Sequence, residues 1–233
     1  MSPLAQALER FNRKERNLLI RAALEPQGTQ LKLTPDFRNQ LADELEISAE
    51  ALADAWWATD YHISWLAGAL AVLAKGEMAC TEHSEGGIRP FDNKKHAMAT
   101  PHSKEEKGRQ LVEGNQEDID LVIATCDRPV MVEAKANRSF GPAQLKSKLQ
   151  RIELLRKFYA ELIPHQNPIR FNLLLISPGL TRPNFEIWPP WARKKDGSIP
   201  WIQLQVGNKL TVERCDNGHH RAADLDFWHV ISV

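Results

Sequence analysis

Apolar residues in the first third of the chain recur at helical spacing, which predicts three helices. The first spans about Ser2–Leu24 and begins with a serine, a residue type that caps helices. The second spans about Thr34–Leu45, where a threonine cap is followed by a first-turn proline. The third, which is strongly apolar, spans about Ser48–Lys75. We therefore expect residues 1–75 to form an N-terminal helical region that packs on the remainder of the chain.

Beyond Gln116 the pattern changes to strand, hairpin, strand, helix and strand. Ile119–Thr125 and Val130–Ala136 are β-branched apolar runs separated by turn residues, which predicts a β-hairpin. A helix is expected over about Pro142–Leu162, because proline is tolerated in a first turn. Ile169–Ser177 is a nearly continuous apolar run and indicates a central strand that is buried on both faces. This order of elements predicts an α/β fold.

Two regions surround this central part, and both contain many turn residues. Residues 76–116 are expected to form a loop with a short strand around Gly87–Phe91. Residues 181–233 form a small extension that is rich in tryptophan and proline, with strands predicted at Trp201–Val206, Lys209–Arg214 and Phe227–Val233. The tryptophans of this extension can stack on bases, or they can pack a small irregular subdomain, which we favour. We therefore expect a helical region over 1–75, a core over 76–180 and an extension over 181–233.

Composition narrows the class of protein. A chain of 233 residues with 42 % hydrophobic content can bury a substantial core without disulfides. Its three cysteines form no CxxC pair, which favours free thiols and a cytoplasmic protein. No run approaches the roughly 18 apolar residues of a membrane span, so we expect no membrane association. Four loop residues offer zinc ligands, although scattered polar side chains explain them better: Cys80, His83, His96 and His102.

The formal net charge is zero, so the distribution of charge is more informative than its sum. Residues 135–157 contain seven basic side chains and one acidic side chain. This excess is typical of a solvated helix face, and it also suits a surface that binds a polyanion.

Four charged residues are expected to meet on one side of the predicted hairpin. If the turn is centred between residues 126 and 127, Asp120 lies opposite Glu133 and Asp118 lies opposite Lys135. A slip of register would exchange these partners. Side chains alternate between the faces of a strand, so the two residues on each strand project together. Buried carboxylates are costly unless they are paired, and a divalent cation is one solution. A salt-bridged cluster on an exposed hairpin is the other.

The residues of this hairpin resemble a known motif. Glu117-Asp118-Ile119-Asp120-Leu121, followed after a short gap by Val132-Glu133-Ala134-Lys135, resembles the core of the PD-(D/E)xK nuclease superfamily. The resemblance covers roughly residues 60–177, and it is closest to uncharacterised bacterial members. It implies a restriction-endonuclease-like core, a central mixed sheet flanked by helices. It also implies that Asp120, Glu133 and the Ala134 carbonyl bind Mg²⁺ or Mn²⁺, and that Lys135 acts on the attacking water.

Further site residues are expected on the neighbouring helices. On the basic helix, Gln144 is similar in place to a glutamine that orients the site in some branches of the superfamily, although the tyrosine that follows it there is absent. The resemblance also implies an acidic residue or histidine from the helix before the sheet, for which the candidates are Asp60 and His62. We expect nucleic-acid contacts from four more residues, three of which share or adjoin one helix face: Ser147, Lys148, Arg151 and Arg138.

Together with these patterns, the resemblance implies a Mg²⁺-dependent nuclease that acts on DNA rather than RNA through a metal-activated water. Phosphate-loop, nucleophile-elbow and HExxH motifs are missing, so the sequence does not support other hydrolase classes. The alternative is a catalytically inactive module of the same fold that binds nucleic acid or protein. Superfamily members often pair two active sites, so we also expect a homodimer.

Overall fold

The computed structural model describes most of the chain. The described residues are 1–25, 30–75, 83–84, 87–88, 117–136, 140, 142–162, 169–179, 188–205, 207, 210–216 and 227–232. The helices are α1 (Pro3–Glu9), α2 (Glu15–Leu24), α3 (Pro35–Leu45), α4 (Ile63–Lys75) and α5 (Pro142–Leu162). The strands are β1 (Trp56–His62), β2 (His83–Ser84), β3 (Gly87–Ile88), β4 (Asp118–Ala124), β5 (Pro129–Ala134), β6 (Asn172–Ser177), β7 (Trp201–Gln203), β8 (Leu210–Cys215) and β9 (Phe227–Ser232).

A mixed five-stranded sheet organises the fold, in the order β1-β4-β5-β6-β7. β1 and β5 both pair with β4 in antiparallel orientation, whereas β5, β6 and β7 are parallel. Parallel neighbours need a long crossover, and α5 supplies it between β5 and β6. Two smaller two-stranded sheets join β2 with β3 and β8 with β9. The expected α/β class with a central mixed sheet is confirmed.

The sheet separates two hydrophobic cores. One core packs α1, α4 and α5 against the sheet, and the other packs α3 against it. On β5, Met131 belongs to the first core, whereas Val130 and Val132 belong to the second. This alternation follows from the period of two along a strand and explains the nearly uninterrupted apolar sequence of β5. Helices therefore flank both faces of the sheet.

The expected single helix over Ser2–Leu24 is wrong, because the chain forms α1 and α2 with a turn between them. Ser2 caps α1 as predicted, since its hydroxyl accepts a hydrogen bond from the Ala5 N–H. After Arg10 the chain turns so that the Phe11 ring packs against Gly68 of α4. A Cβ atom at Gly68 would lie 2.6 Å from this ring, so the absence of a side chain permits the close approach.

The expected third helix, Ser48–Lys75, is also wrong in its first half. Residues 56–62 form β1 at the edge of the sheet, and the helical part begins only at Ile63. β1 pairs with β4, from Trp56 opposite Ala124 to His62 opposite Asp118. Asp60 and His62 therefore lie on the strand that precedes α4, rather than on a helix.

Several further predicted elements agree with the structure, whereas the predicted loop over 76–116 falls almost entirely outside the described residues. The α3 helix, the β4–β5 hairpin, α5 and β6 all occur where the sequence places them, within a few residues. The register of the hairpin is the predicted one, with Leu121 opposite Val132 and Ala124 opposite Pro129.

Around a short 3-10 helix, Pro190–Ala192, the tryptophans pack within the fold. Trp188 is 1 % exposed, and its indole N–H donates to the Ala192 carbonyl. The Arg156 guanidinium of α5 lies 4.5 Å from the centre of the Trp191 ring, and the Trp201 indole donates to Ser177. The three tryptophans therefore pack on the first core of the main fold, and the expected separate subdomain is not seen around them. In the described part of the chain, every helix is too short or too polar to span a bilayer.

Candidate functional site

A buried ion pair marks the end of β5. Glu133, which is 4 % exposed, points toward α5, and there the Lys148 ammonium donates to both of its carboxylate oxygens at 2.6 Å. Lys148 is as buried as its partner, with 5 % of its side chain exposed. An ion pair removed from water in this way needs close geometry to offset the loss of hydration. The bidentate contact provides that geometry.

Asp120 of β4 lies beside this ion pair. Its Oδ2 atom accepts a hydrogen bond from the Ala134 N–H at 2.7 Å, in place of a backbone ladder contact. The paired residues of the hairpin accordingly end at Leu121 and Val132. Because the N–H and C=O of one strand residue point toward the same neighbouring strand, the Ala134 carbonyl also faces β4. The Asp120 and Glu133 carboxylates therefore belong to facing positions at one end of the hairpin, where the Asp120 charge acts on Glu133 and the Ala134 backbone faces Asp120.

The surroundings of Glu133 favour the neutral form of its carboxyl group. Burial raises the pKa of Glu133 from 4.5 to about 7. The Lys148 ammonium opposes this shift, the Asp120 charge adds to it, and the Lys135 charge lowers the pKa again. A second positive charge near the two carboxylates would stabilise the ionised form.

Lys135 follows β5 directly and is partly exposed. Its backbone N–H donates to the Ile176 carbonyl of β6 at 2.9 Å, which holds the backbone in line with the strand. Its charge acts on Glu133, but it forms no ion pair among the described residues. An ammonium group at this position is available to a ligand at the sheet end.

A second polar cluster joins α5 to the start of β4. Ser147 donates to one Glu117 oxygen at 2.8 Å, and Arg151 donates to the other at 3.1 Å. Arg151 is completely buried and also donates to the Ser64 hydroxyl of α4. The cationic groups that the sequence assigned to nucleic acid, on Lys148 and Arg151, are thus engaged by carboxylates within the chain. Their nucleic-acid contacts stay a prediction.

Asp118 forms an ion pair with a residue of the N-terminal region. Lys14, which immediately precedes α2, forms an ion pair with Asp118 Oδ2 at 2.6 Å. Asp118 lies opposite His62, and burial of this histidine lowers its pKa while the nearby Asp118 charge opposes that shift. The expected grouping of Asp118 with Lys135 is not observed. Asp118 belongs instead to a neighbouring cluster with Lys14 and His62.

Asp60 interrupts the ladder between β1 and β4. It has a positive φ of 51° and stands at the position opposite Asp120, which the paired residues skip. A left-handed conformation is uncommon for a residue with a side chain, although aspartate adopts it more readily than most. Its carboxylate accepts a hydrogen bond from the exposed Arg16 side chain at 2.9 Å. Asp60 is therefore near the site in the sheet, but its carboxylate is bound to α2.

No protein-family model, curated protein or solved structure matches this chain.

The oxygen atoms at this end of the sheet are of the chemical type that binds a hard divalent cation. Within the described residues, no group of three or more His, Cys, Asp and Glu side chains could hold a metal ion. Two carboxylates and a carbonyl nevertheless suit Mg²⁺, which takes its other ligands from water and substrate phosphates. Because Lys148 already contacts both Glu133 oxygens, this fit requires the ammonium to give up at least one of them.

Several predicted site residues lie outside these observations. Arg138 is outside the described residues, as are Cys80, His96 and His102, and the side chains of Gln144 and His83 are not described. Conversely, sequence reasoning missed Lys14, Ser64 and the direct role of Glu117. Glu117 offered a signal, because it adjoins the motif. Lys14 and Ser64 offered none, since they reach the cluster only through tertiary packing.

Proposed function

We propose that this chain is a divalent-metal-dependent nuclease with a restriction-endonuclease-like core. The observation that carries the proposal is the placement of Asp120 and Glu133 at facing positions at one end of the β4–β5 hairpin, with the Asp120 carboxylate bound to the Ala134 N–H. Burial of the Glu133 carboxylate beside the Asp120 charge costs the fold free energy, and a bound cation would offset this cost by neutralising both charges. The order of helix, strands, helix and strand supports the proposed fold.

In this proposal Asp120, Glu133 and the Ala134 carbonyl hold Mg²⁺ or Mn²⁺. When bound, the cation lowers the pKa of a coordinated water and neutralises charge on the scissile phosphate. Lys135 positions the attacking water and offers an ammonium group to the developing negative charge. The carboxylates of Asp120 and Glu133 provide fixed negative charge that selects a cation, while the mainly basic α5 helix favours a polyanionic substrate.

The proposed substrate is DNA rather than RNA, which follows the resemblance of the hairpin motif rather than any base-specific contact. Cytoplasmic location is part of the same proposal. It agrees with the free thiols of Cys126 and Cys215, since unpaired cysteines are usual in reducing compartments.

One observation favours a different function, a catalytically inactive module that binds nucleic acid or protein. Lys148 already neutralises Glu133, so the buried carboxylate is paired without a metal. In this second candidate the ion pair is purely structural, and any binding to nucleic acid is indifferent to divalent cations. The two functions therefore differ in the effect of Glu133→Ala. This substitution abolishes metal-dependent stabilisation of the nuclease, whereas the binding module shows no such stabilisation to lose.

The test is cleavage of supercoiled plasmid and of single-stranded DNA with Mg²⁺ or Mn²⁺. Asp120→Ala and Lys135→Ala are each expected to lower the rate by at least about a hundredfold, because the first removes a metal ligand and the second removes the ammonium that faces the developing charge. Asp43→Ala and Lys32→Ala remove exposed charges of the same types from α3 and from the segment just before it, away from the basic helix, and they serve as matched controls. Cleavage should stop with a chelator and persist in both controls.

Cleavage that survives Asp120→Ala and Lys135→Ala would reject this site. If the wild type cuts neither substrate with either metal and binds DNA equally well with chelator, the binding module becomes the better description.

A further inference from the structure

Lys148 occupies the position from which a cation would contact Glu133. Its ammonium lies 2.6 Å from each carboxylate oxygen, and both side chains are 5 % exposed. A surface lysine would share such a carboxylate with water. Here the ammonium takes one hydrogen-bonding position on each oxygen and excludes solvent from the pair.

The rest of helix α5 holds this lysine in place. Ser147 and Arg151 bind Glu117 on either side of the Lys148 contact, and Arg151 also reaches Ser64 of α4. On the same helix, Leu149 and Ile152 are buried in the first core. The backbone of α5 is therefore fixed at this point, and only the long lysine side chain can change position.

An ammonium group and a divalent cation compete for the same oxygens. Both are attracted by the combined charge of Glu133 and Asp120, and neither can approach the Glu133 oxygens closely while the other remains. Asp120 keeps its contact with the Ala134 N–H through Oδ2 alone, which leaves its charge available to either cation.

We propose that Lys148 is an internal counter-cation of this site, which neutralises Glu133 when no metal is bound and is displaced when a divalent cation binds. The proposal rests on the proposed metal site and adds a regulatory role for a residue on the facing helix. Displacement of Lys148 lowers the apparent affinity for the metal, because part of the binding free energy is used to break a buried ion pair.

The first experiment measures Mn²⁺ binding to the full chain by the electron paramagnetic resonance signal of free Mn²⁺. Lys148→Met keeps the length and apolar stem of the side chain and removes the competing charge. We expect this variant to bind Mn²⁺ at least about tenfold more tightly than the wild type. Lys146→Met removes an exposed charge two positions earlier on the same helix, and its affinity should stay within about twofold of the wild type.

Equal or weaker binding by Lys148→Met, in a wild type that does bind Mn²⁺, would overturn the competition. A similar gain in both variants would also overturn it, because a general charge effect would then explain the result. If neither the wild type nor Lys148→Met binds Mn²⁺, the proposed metal site itself fails, and the counter-cation role fails with it.

A second measurement uses the wild-type chain and does not depend on a variant that folds. Lysines are labelled by reductive methylation with and without Mg²⁺, and the extent at each lysine is read by peptide mass spectrometry. Lys148 should be protected in the absence of Mg²⁺ and become several-fold more reactive with it, whereas Lys146 should react equally in both conditions. Protection of Lys148 that is unchanged at a Mg²⁺ concentration that stabilises the protein would contradict displacement.

Discussion

At the scale of single residues, the polar end of the sheet is organised as matched pairs of charges. Glu133 pairs with Lys148, Glu117 with Arg151 and Asp118 with Lys14. Every basic partner comes from outside the hairpin, from α5 or from the turn before α2. The charge of each of these three carboxylates is therefore balanced locally by its own basic partner.

His62 gives a test of this organisation through pH. Its Nδ1 atom accepts a hydrogen bond from the Ser64 N–H at 3.3 Å, so the neutral ring fits the fold. Burial lowers the pKa of His62 below the ordinary 6.5, and the nearby charges of Arg151 and Lys14 act in the same direction against Asp118. The unfolded chain therefore takes up the proton first as the pH falls. Stability from His62 is complete above pH 6.5 and is lost as the pH falls through and below this value.

We expect the wild type to lose more stability than His62→Gln when the pH is lowered from about 8 to about 5. The measurement is the free energy of unfolding in urea at both values, compared between the two proteins so that other titrating groups cancel. Identical pH dependence in wild type and variant would contradict the assigned role of His62.

At the scale of elements, a helix or strand is predictable from the sequence when the interactions that determine it lie within its own segment. The β4–β5 hairpin and α5 were predictable, because their alternation, turn residues and proline positions are all contained within each segment. For β1 the sequence predicts a helix instead of a strand. The stretch from Trp56 passes into α4 at Ile63 without a turn residue, so the two elements resemble one apolar helix. What makes β1 a strand is its pairing with β4, a contact between distant parts of the chain.

The ion pair between Lys148 of α5 and Glu133 of β5 gives a prediction at this scale. Lys148→Met leaves the Glu133 carboxylate buried without its partner, which should lower the free energy of unfolding by about 3 kcal/mol. Combining Lys148→Met with Glu133→Gln should restore part of this loss, because no unpaired charge is then buried. Lys146→Met, on the exposed side of the helix, should change stability by less than about 0.5 kcal/mol.

Urea unfolding without metal of the wild type, Lys148→Met, Glu133→Gln, the double variant and Lys146→Met measures these differences. If the double variant loses as much free energy of unfolding as the two single variants together, the two side chains act independently. The ion pair then does not hold α5 against the sheet.

At the scale of the whole molecule, the candidate site lies where the sheet meets three separate parts of the chain. The carboxylates come from β4 and β5, the basic partners from α5 and the N-terminal region, and a hydroxyl from α4. The acidic half of this site was predictable from one short motif. The rest was not, because Lys14 and Ser64 have no local pattern that distinguishes them from ordinary surface residues. Their contribution exists only after the first core has brought α1, α4 and α5 onto the same face of the sheet.

The five-stranded sheet contributes side chains to both cores, so the two cores should unfold together. Leu70 lies in the core with α4 and Leu41 in the core with α3, and both are completely buried. Replacement of either by alanine should lower the free energy of unfolding by about 3 kcal/mol, whereas Leu210→Ala, at a side chain that is 73 % exposed, should have little effect. In urea, tryptophan fluorescence and circular dichroism should follow one transition in all of these variants. Two separated transitions in Leu41→Ala would mean that the core with α3 unfolds independently, and that the sheet does not couple the two faces.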